Sequence, residues 1–274
     1  MLRDFMRSFL AGGRLVSILL LTLFCSLLHR LGATRAAKQK VAGFWFSAMN
    51  FLIGLKPQIS GQIHRGNNVL YTANHVSYLD ILATGGSLDA VFVAKQEIAG
   101  WPLIGQAAIM GECVFVSRKP VHVREEAELI RRRLAGGRNV ILFPEGTTGC
   151  GKNLLPFKSA LLAAVDGIPH ARVQPVSITY PDLERGGVDS SLAWYGDMAL
   201  MPHLWQVLKR GRSPVRLRFH PVLNADDFPD RKLLAAACQS RIASGISLNL
   251  AGASDETPLL PEALMAAQPS LPSM

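Results

Sequence analysis

The sequence predicts an α/β fold, a mostly parallel sheet flanked by helices, with a membrane-associated motif of two helices at the N-terminus. From residue 59 onward, short runs rich in β-branched residues alternate with helical stretches, which is typical of a parallel sheet covered by helices. Residues 1–55 instead contain two long apolar stretches. Of the 274 residues, 49% are hydrophobic and 18% are charged, and the net charge is +9. This balance favours an anionic partner, such as a membrane surface or a phosphorylated substrate.

The N-terminal segment, residues 1–56, has apolar stretches at Leu15–Leu28 and Val41–Leu55. A helix needs roughly 20 apolar residues to cross the hydrocarbon layer, and because each stretch is shorter, neither is predicted to span by itself. We therefore expect two amphiphilic helices that dip into one leaflet, with Lys38 and Lys40 between them facing anionic head groups. A single membrane span and a cleaved signal peptide are the alternatives.

Residues 57–251 are predicted to form the α/β domain. The candidate strands are Val69–Ala73, Val91–Ala94, Val114–Val116, Val140–Phe143, Val173–Thr179 and Val215–Phe219. The candidate helices are Leu79–Gly85, Val121–Leu134, Ser159–Val165, Met201–Leu208 and Asp230–Ala243. Residues 252–274 contain four prolines and neither Lys nor Arg, so we expect them to be a disordered tail.

Cysteine usage and the absence of nucleic-acid motifs narrow the functional classes. The scattered residues Cys25, Cys113, Cys150 and Cys238 form no C-x-x-C pair, which suits a reducing compartment and predicts no metal site. The sequence also lacks zinc-ligand spacing and a helix-turn-helix signature, so a nucleic-acid partner is not expected.

The first motif with chemical potential follows the Val69–Ala73 strand and runs from Asn74 to Asp80. If His75 lies on the loop and Asp80 in the first turn of the next helix, the carboxylate can orient the imidazole as a general base. The nucleophile would then be a hydroxyl of the substrate. The alternative is structural, because Ser77 and Asp80 also fit a helix capping box.

The second motif, Phe143–Thr148, follows another candidate strand at an edge where ligands of α/β sheets collect. Gly146 allows backbone N–H groups to approach a ligand, Thr147 adds a hydroxyl, and Lys158 brings positive charge to the same edge. Glu145 would repel a phosphate unless it binds a hydroxyl or a cation. The alternative is an ordinary glycine turn between two elements.

A third candidate site is the arginine that follows the Val114–Val116 strand. Arg118 presents a fork of donors suited to a phosphate, so it is a candidate ligand for an anionic substrate. The alternative is a solvated cation in a loop.

Taken together, four blocks occur in a fixed order: Asn74–Asp80, Ser117–Arg118, Phe143–Thr148 and Val173–Val176. This order resembles the glycerolipid acyltransferase family that includes bacterial lysophosphatidic acid acyltransferases. The resemblance covers Gln58–Tyr180, and its first and third blocks are highly specific in combination.

The resemblance implies a role for each block. His75 is the implied base, Asp80 its partner, and Arg118 with the Glu145–Thr147 loop the acceptor-binding region. It also implies the N-terminal membrane motif. Where the family often has an acidic residue before the arginine, this chain has Ser117, so it departs from the family pattern at this position.

The implied reaction is transfer of an acyl group from acyl-CoA or acyl carrier protein to the hydroxyl of a lysolipid, with no cofactor and no metal. The favoured acceptor is 1-acylglycerol-3-phosphate, giving phosphatidic acid in phospholipid biosynthesis. Segments Ala94–Pro102 and Trp194–Met198 are similar to a bacterial branch that also holds lyso-ornithine lipid acyltransferases, which give ornithine lipid. The implied location is the inner membrane, with the catalytic domain on its cytoplasmic face.

Two other functional classes remain as alternatives. A hydrolase or phosphatase would use a metal cluster or a side-chain nucleophile, and the sequence offers neither. A non-catalytic lipid-binding adaptor would need only the basic, apolar N-terminus, which leaves His75 and Asp80 ahead of the Phe143–Thr148 motif unexplained.

Overall fold

The computed structural model describes residues 1–101, 104–117 and 122–252, and its centre is one sheet of eight strands. The strands are β1 (Leu55–Ser60), β2 (Val69–Ala73), β3 (Val91–Lys95), β4 (Val114–Val116), β5 (Val140–Leu142), β6 (Arg172–Thr179), β7 (Ser213–Phe219) and β8 (Leu223–Asn224). Their order across the sheet is β1-β7-β6-β2-β5-β3-β4, with β8 beside β6. Strand β6 runs antiparallel to β7 and β8, and every other pair is parallel. The predicted mostly parallel α/β sheet is confirmed.

Helices cover both faces of this sheet. They are α1 (Leu2–Leu31), α2 (Arg35–Ile53), α3 (Leu79–Gly85), α4 (Ile104–Met110), α5 (Val123–Ala135), α6 (Leu200–Arg210) and α7 (Arg231–Ala251). Strand β2 is buried along its whole length, as expected for a central parallel strand. Its residues Val69, Tyr71 and Ala73 face the core that α1, α2, α3 and α6 cover, while Leu70 faces the core beneath α5 and α7.

The predicted helical segment Ser159–Val165 is confirmed with its bounds and is a 3-10 helix. The predicted end of the last helix at Ala243 is wrong, because α7 continues to Ala251. Strands β1 and β8 and helix α4 were not predicted. The predicted start of a helix at Val121 and the predicted disordered tail from residue 253 lie outside the described residues.

The N-terminal helices are longer than the apolar stretches that predicted them. Helix α1 has 30 residues and is long and apolar enough to cross a membrane, so the prediction that neither stretch has the length to span is wrong for α1. Thr34 begins α2 by accepting a hydrogen bond from Ala37 N, and Gly54 ends it with φ +83°. A Cβ at Gly54 would come 2.1 Å from the carbonyl oxygen of Gly211, so only glycine fits there.

The topology brings the sequence motifs to one edge of the sheet. Strands β2, β5 and β6 are neighbours and parallel, so the residues that follow them share the carboxyl-terminal edge. The Asn74–Asp80 and Phe143–Thr148 motifs follow β2 and β5 and therefore lie side by side at this edge.

Candidate active site

Asn74, which follows β2, continues the sheet with its side chain. Its amide nitrogen donates to Ile178 O at 2.9 Å and its amide oxygen accepts from Ile178 N at 2.7 Å. This pair of bonds imitates a backbone ladder and fixes the chain as it leaves β2 toward His75. Sequence analysis assigned Asn74 no role, although its position at the end of a buried strand was the available signal.

Asp80 organises the loop with a carboxylate that is completely buried. Its Oδ2 accepts from His75 Nδ1 at 2.8 Å, from Val76 N at 2.7 Å and from Ser77 N at 3.0 Å. Its Oδ1 accepts from the Tyr180 hydroxyl at 2.7 Å. Burial, followed by the negative charge of Asp80, raises the pKa of Tyr180 well above its usual value, so this hydroxyl keeps its proton and donates it.

The capping-box alternative for this loop is half realised. Asp80 reaches back to the backbone N–H groups of Val76 and Ser77, as in a capping box. Ser77 does not complete the motif, because its hydroxyl is buried and has no hydrogen-bond partner within the described chain. Asp80, in the first turn of α3, therefore both binds the backbone that precedes the helix and binds the imidazole.

The His75 ring is held on two sides. Its Nδ1 is bound to Asp80, and its face stacks on the Phe143 ring with 4.0 Å between ring centroids and 14° between planes. A carboxylate only accepts hydrogen bonds, so Nδ1 carries the proton of the neutral ring. Nε2 is left as the basic nitrogen, on a side chain that is 10% exposed.

Glu145 is buried behind His75 and binds backbone on both of its oxygens. Oε1 accepts from His75 N at 2.6 Å, and Oε2 accepts from Leu155 N at 2.9 Å. The pKa of Glu145 is raised to about 7, and burial is the largest cause of this rise. The two backbone donors act in the opposite direction, and the charge of Asp80 adds a smaller rise. The predicted contact of Glu145 with an acceptor stays a prediction, and the geometry gives this carboxylate a different task, which is to hold the backbone of the base.

The rest of the second motif forms a turn beside His75. Gly146 has φ +70° and donates to Phe143 O at 3.0 Å, so the predicted glycine turn is present. Lys158 lies over this turn, because a Cβ built on Gly146 would come 3.1 Å from Lys158 Nζ. Thr147 is exposed on the same loop, and Gly149 N donates to His75 O at 2.9 Å. The structure thus brings a cation, a hydroxyl and the candidate base to one edge.

The third motif is described only up to Ser117, and Arg118 lies outside the described residues. Ser117 donates from its backbone N and its hydroxyl to Glu126 Oε1, at 2.6 Å and 2.8 Å. A carboxylate from α5 therefore stands beside Ser117, where the family often has an acidic residue.

Tyr180 is the second residue that sequence analysis missed. It is fully buried and immediately follows β6, the strand next to β2. Its hydroxyl reaches Asp80 across the strand boundary. The pairing of β2 with β6, which places the two residues together, was not available from the sequence.

Comparisons with known proteins find acyltransferases among the similar sequences. A family model described as "Acyltransferase" matches residues 56–179. The chain is 36% identical over 221 residues to the lyso-ornithine lipid O-acyltransferase of Rhizobium meliloti (strain 1021), covering 77% of this chain and 76% of the relative. It is 37% identical over 173 residues to the 1-acyl-sn-glycerol-3-phosphate acyltransferase of Neisseria meningitidis serogroup B, covering 61% of this chain and 65% of that protein.

A solved structure has the same fold. The crystal structure of the 1-acyl-sn-glycerophosphate acyltransferase PlsC from Thermotoga maritima matches with a TM-score of 0.62, covering 90% of this chain and 97% of that one. At 21% sequence identity, this likeness is one of fold.

The raised pKa of Glu145 predicts a pH-dependent stability. A carboxyl whose folded pKa is about 7 and whose unfolded pKa is about 4.5 favours folding when protonated, and this contribution is lost as pH rises through 7. Relative to Glu145→Gln, which does not titrate, the free energy of unfolding of the wild type should fall by about 3 kcal/mol between pH 4.5 and pH 8. Denaturant titrations of both proteins in detergent at several pH values measure this difference. A difference that stays constant with pH would contradict the assignment.

Proposed function

The chain belongs to the acyltransferase family and is an O-acyltransferase acting on lysolipids, and from this premise we propose that His75 is its general base. The observation that supports this most directly is the 2.8 Å hydrogen bond between His75 Nδ1 and Asp80 Oδ2. It orients the ring with Nε2 as the basic nitrogen, and it stabilises the imidazolium that forms when the ring takes a proton.

In the proposed reaction, His75 Nε2 takes the proton of the acceptor hydroxyl as the oxygen attacks the thioester carbonyl. A new carbon–oxygen bond forms, the carbon–sulfur bond breaks, and the imidazolium returns the proton to the leaving thiolate. The acyl group passes directly to the acceptor without a covalent acyl-enzyme. Asp80 remains ionised throughout and keeps the imidazole in one tautomer.

The acceptor is proposed to lie beside the Gly146 turn. The Lys158 ammonium group lies over this turn, and Thr147 adds an exposed hydroxyl. A cation here suits either the phosphate of lysophosphatidate or the carboxylate of an ornithine head group. Arg118 is proposed as a further ligand where that anionic group is a phosphate.

Between these two acceptors, we propose lyso-ornithine lipid. The supporting observation is coverage: the Rhizobium meliloti relative of that name matches 77% of the chain, whereas the Neisseria meningitidis relative named for 1-acyl-sn-glycerol-3-phosphate matches 61%. This reverses the order that the sequence motifs favoured. Lysophosphatidate is the second candidate, supported by the 37% identity to the Neisseria meningitidis relative.

Helix α1 is proposed to lie in the membrane interface and not to cross the bilayer. It is tied to the domain near both ends, by the Asp4–Lys209 ion pair at 2.9 Å and by Arg30, whose Nη2 donates to Gln106 Oε1 at 2.8 Å. In between, Arg14 Nη1 donates to the carbonyl of Leu208 at 2.8 Å. A spanning helix would have to break contacts of this kind.

The outer face of α1 is apolar along its length. Its buried residues are Ala11, Ile18, Thr22 and Cys25. Their spacing of three, four and seven places them on one face. The exposed apolar residues of the helix include Phe5, Phe9, Val16, Leu20, Leu23, Phe24, Leu27 and Leu31. These are proposed to enter the cytoplasmic leaflet of the inner membrane, as the sequence predicted.

The base assignment predicts that His75→Ala lowers kcat by about 10²–10⁴-fold while the protein stays folded and membrane-bound. Asp80→Asn should also lower kcat strongly, because an amide does not hold the imidazole in the required tautomer. His170→Ala, at a histidine whose side chain is 81% exposed, is the matched control and should keep full activity. A His75→Ala protein with wild-type turnover would rule out this mechanism.

The acceptor assignment predicts that the wild type acylates lyso-ornithine lipid with a higher kcat/KM than lysophosphatidate. A charge-assisted hydrogen bond contributes about 1.5–3 kcal/mol, so Arg118→Ala should lower kcat/KM for lysophosphatidate by about 10–150-fold, with a smaller effect on a phosphate-free acceptor. Lys232→Ala, which removes an exposed cation of α7, serves as the control. A higher kcat/KM for lysophosphatidate would restore it as the first candidate.

The interfacial position of α1 predicts that both of its ends are on the same side of the membrane. Cysteines introduced by Leu2→Cys and Ala33→Cys should each be labelled by an impermeant maleimide from the cytoplasmic side of inside-out vesicles. Peptide mass spectrometry separates these positions from the native cysteines. Labelling of the two positions from opposite sides would show that α1 spans the bilayer.

A further inference from the structure

A groove of about 850 Å³, with charged side chains in its lining, opens at the same edge of the sheet as His75. One wall is the segment 181–191, a hairpin in which Pro181 pairs with Val188. The other wall is formed by the beginnings of β1 and β7 and by the end of α6. We call this space the hairpin groove, and its lining includes Lys56, Gln58, Arg185, Arg210 and Arg212.

The strand order places the hairpin groove on the opposite side of His75 from the acceptor residues. Strands β5, β3 and β4 lie on one side of β2, and β6, β7 and β1 lie on the other. Gly146 and Lys158 follow β5, and Arg118 follows β4, so the proposed acceptor side is the first of these. In the tetrahedral intermediate, the attacking oxygen and the leaving sulfur are separate substituents of the former carbonyl carbon. The acceptor and the thiol carrier can therefore approach His75 from different sides, and the carrier is left with the side of β6, β7 and β1.

The hairpin groove adjoins the loop that carries His75. Val188 of the groove lining and Val76, the neighbour of His75, both lie close to Gly151, since a Cβ there would meet their methyl groups at 3.2 Å and 3.0 Å. Asp189 N donates to Tyr180 O at 2.8 Å, and the Tyr180 hydroxyl donates to Asp80. The wall of the groove is therefore continuous with the residues that hold His75.

Three cations that line the groove, Lys56, Arg185 and Arg212, are exposed and form no ion pair within 4 Å in the described part of the chain. The fourth cation, Arg210, pairs with Asp189 at 2.5 Å.

Three carboxylates also line the groove, of which Asp189 is neutralised by Arg210. Asp182 accepts from the backbone N–H groups of Glu184 and Arg185, both at 3.0 Å, so it serves the hairpin turn. Glu184 is exposed. Four cations against three carboxylates leave one formal positive charge in excess, and the exposed Lys56, Arg185 and Arg212 are the cations that an anionic ligand in the groove can reach.

From these observations we propose that the hairpin groove binds the phosphate-bearing arm of a 4′-phosphopantetheine thioester, the acyl donor. Lys56, Arg185 and Arg212 bind its phosphate oxygens, and the arm extends past Val188 to bring the thioester to His75. This inference rests on the proposed acyl transfer. The shared chemistry is the phosphate of the arm, which coenzyme A carries in a diphosphate link to its nucleotide and acyl carrier protein carries as a phosphoserine ester.

The test measures donor kinetics with purified full-length protein at a saturating lysolipid concentration. The donors are acyl-CoA, acyl carrier protein and acyl-pantetheine, which has the same thioester arm without a phosphate. Each single change, Arg185→Ala or Arg212→Ala, should raise KM for a phosphate-bearing donor by about 2–5-fold, as expected for exposed charge pairs. The double variant Arg185→Glu/Arg212→Glu should raise it by at least about 10-fold, and added salt should weaken wild-type donor binding more than that of the variant.

Kcat, the KM for the lysolipid and all parameters with acyl-pantetheine should stay at wild-type values in these variants. Lys232→Glu, a charge reversal on exposed α7, is the matched control and should leave donor KM unchanged. The proposal is overturned if acyl-pantetheine is affected as strongly as acyl-CoA, or if no donor is affected. It is also overturned if only acyl carrier protein is affected while acyl-CoA is used normally, because the groove would then recognise the acidic protein. If the wild type acylates no lysolipid with any of these donors, the proposed function itself fails.

Discussion

The buried carboxylate of Asp80 is the interaction on which the site depends. It accepts hydrogen bonds from the base, from two backbone N–H groups of the loop and from Tyr180 at the end of β6. A carboxylate with no exposed surface is costly to bury unless its oxygens are satisfied, so the loop, the start of α3 and the pairing of β2 with β6 are all constrained by it. The same bonds that offset the cost of burial also orient His75.

Glu145 completes this arrangement at the backbone of His75, the proposed base. Asp80 holds the imidazole, whereas Glu145 accepts from the backbone N–H of the same residue. The two carboxylates are close enough that the charge of Asp80 raises the pKa of Glu145, after burial has raised it more. The backbone of His75 is thus fixed by Glu145, which follows β5, and its ring is fixed by Asp80, in the first turn of α3. A base held in this way loses little conformational freedom when the acceptor arrives.

Much of the fold was predictable because β-branched runs and Gly-containing loops report local structure directly. Strands β2 and β4 and helix α3 were predicted with their observed ends. The pairing of His75 with Asp80 followed from a loop-to-helix spacing that allows contact. The tasks of Glu145 and Tyr180 were not predictable, because they depend on which strands are neighbours, and strand order is a long-range property. Helix α7 exceeded its prediction because its last turns dock on β6 and β7, where Asn249 bonds to Thr179 and Arg218.

In the proposed reaction, the acyl group moves directly from the thioester to a hydroxyl deprotonated by His75. This is tested by incubating the wild-type protein with acyl thioester and no acceptor, and by recording free thiol and the intact mass of the protein. We expect no thiol release above the non-enzymatic rate and no added acyl mass, with thiol release beginning once a lysolipid is supplied. Stoichiometric thiol release accompanied by an acylated protein would contradict the proposed reaction, because the chain itself would then supply the nucleophile.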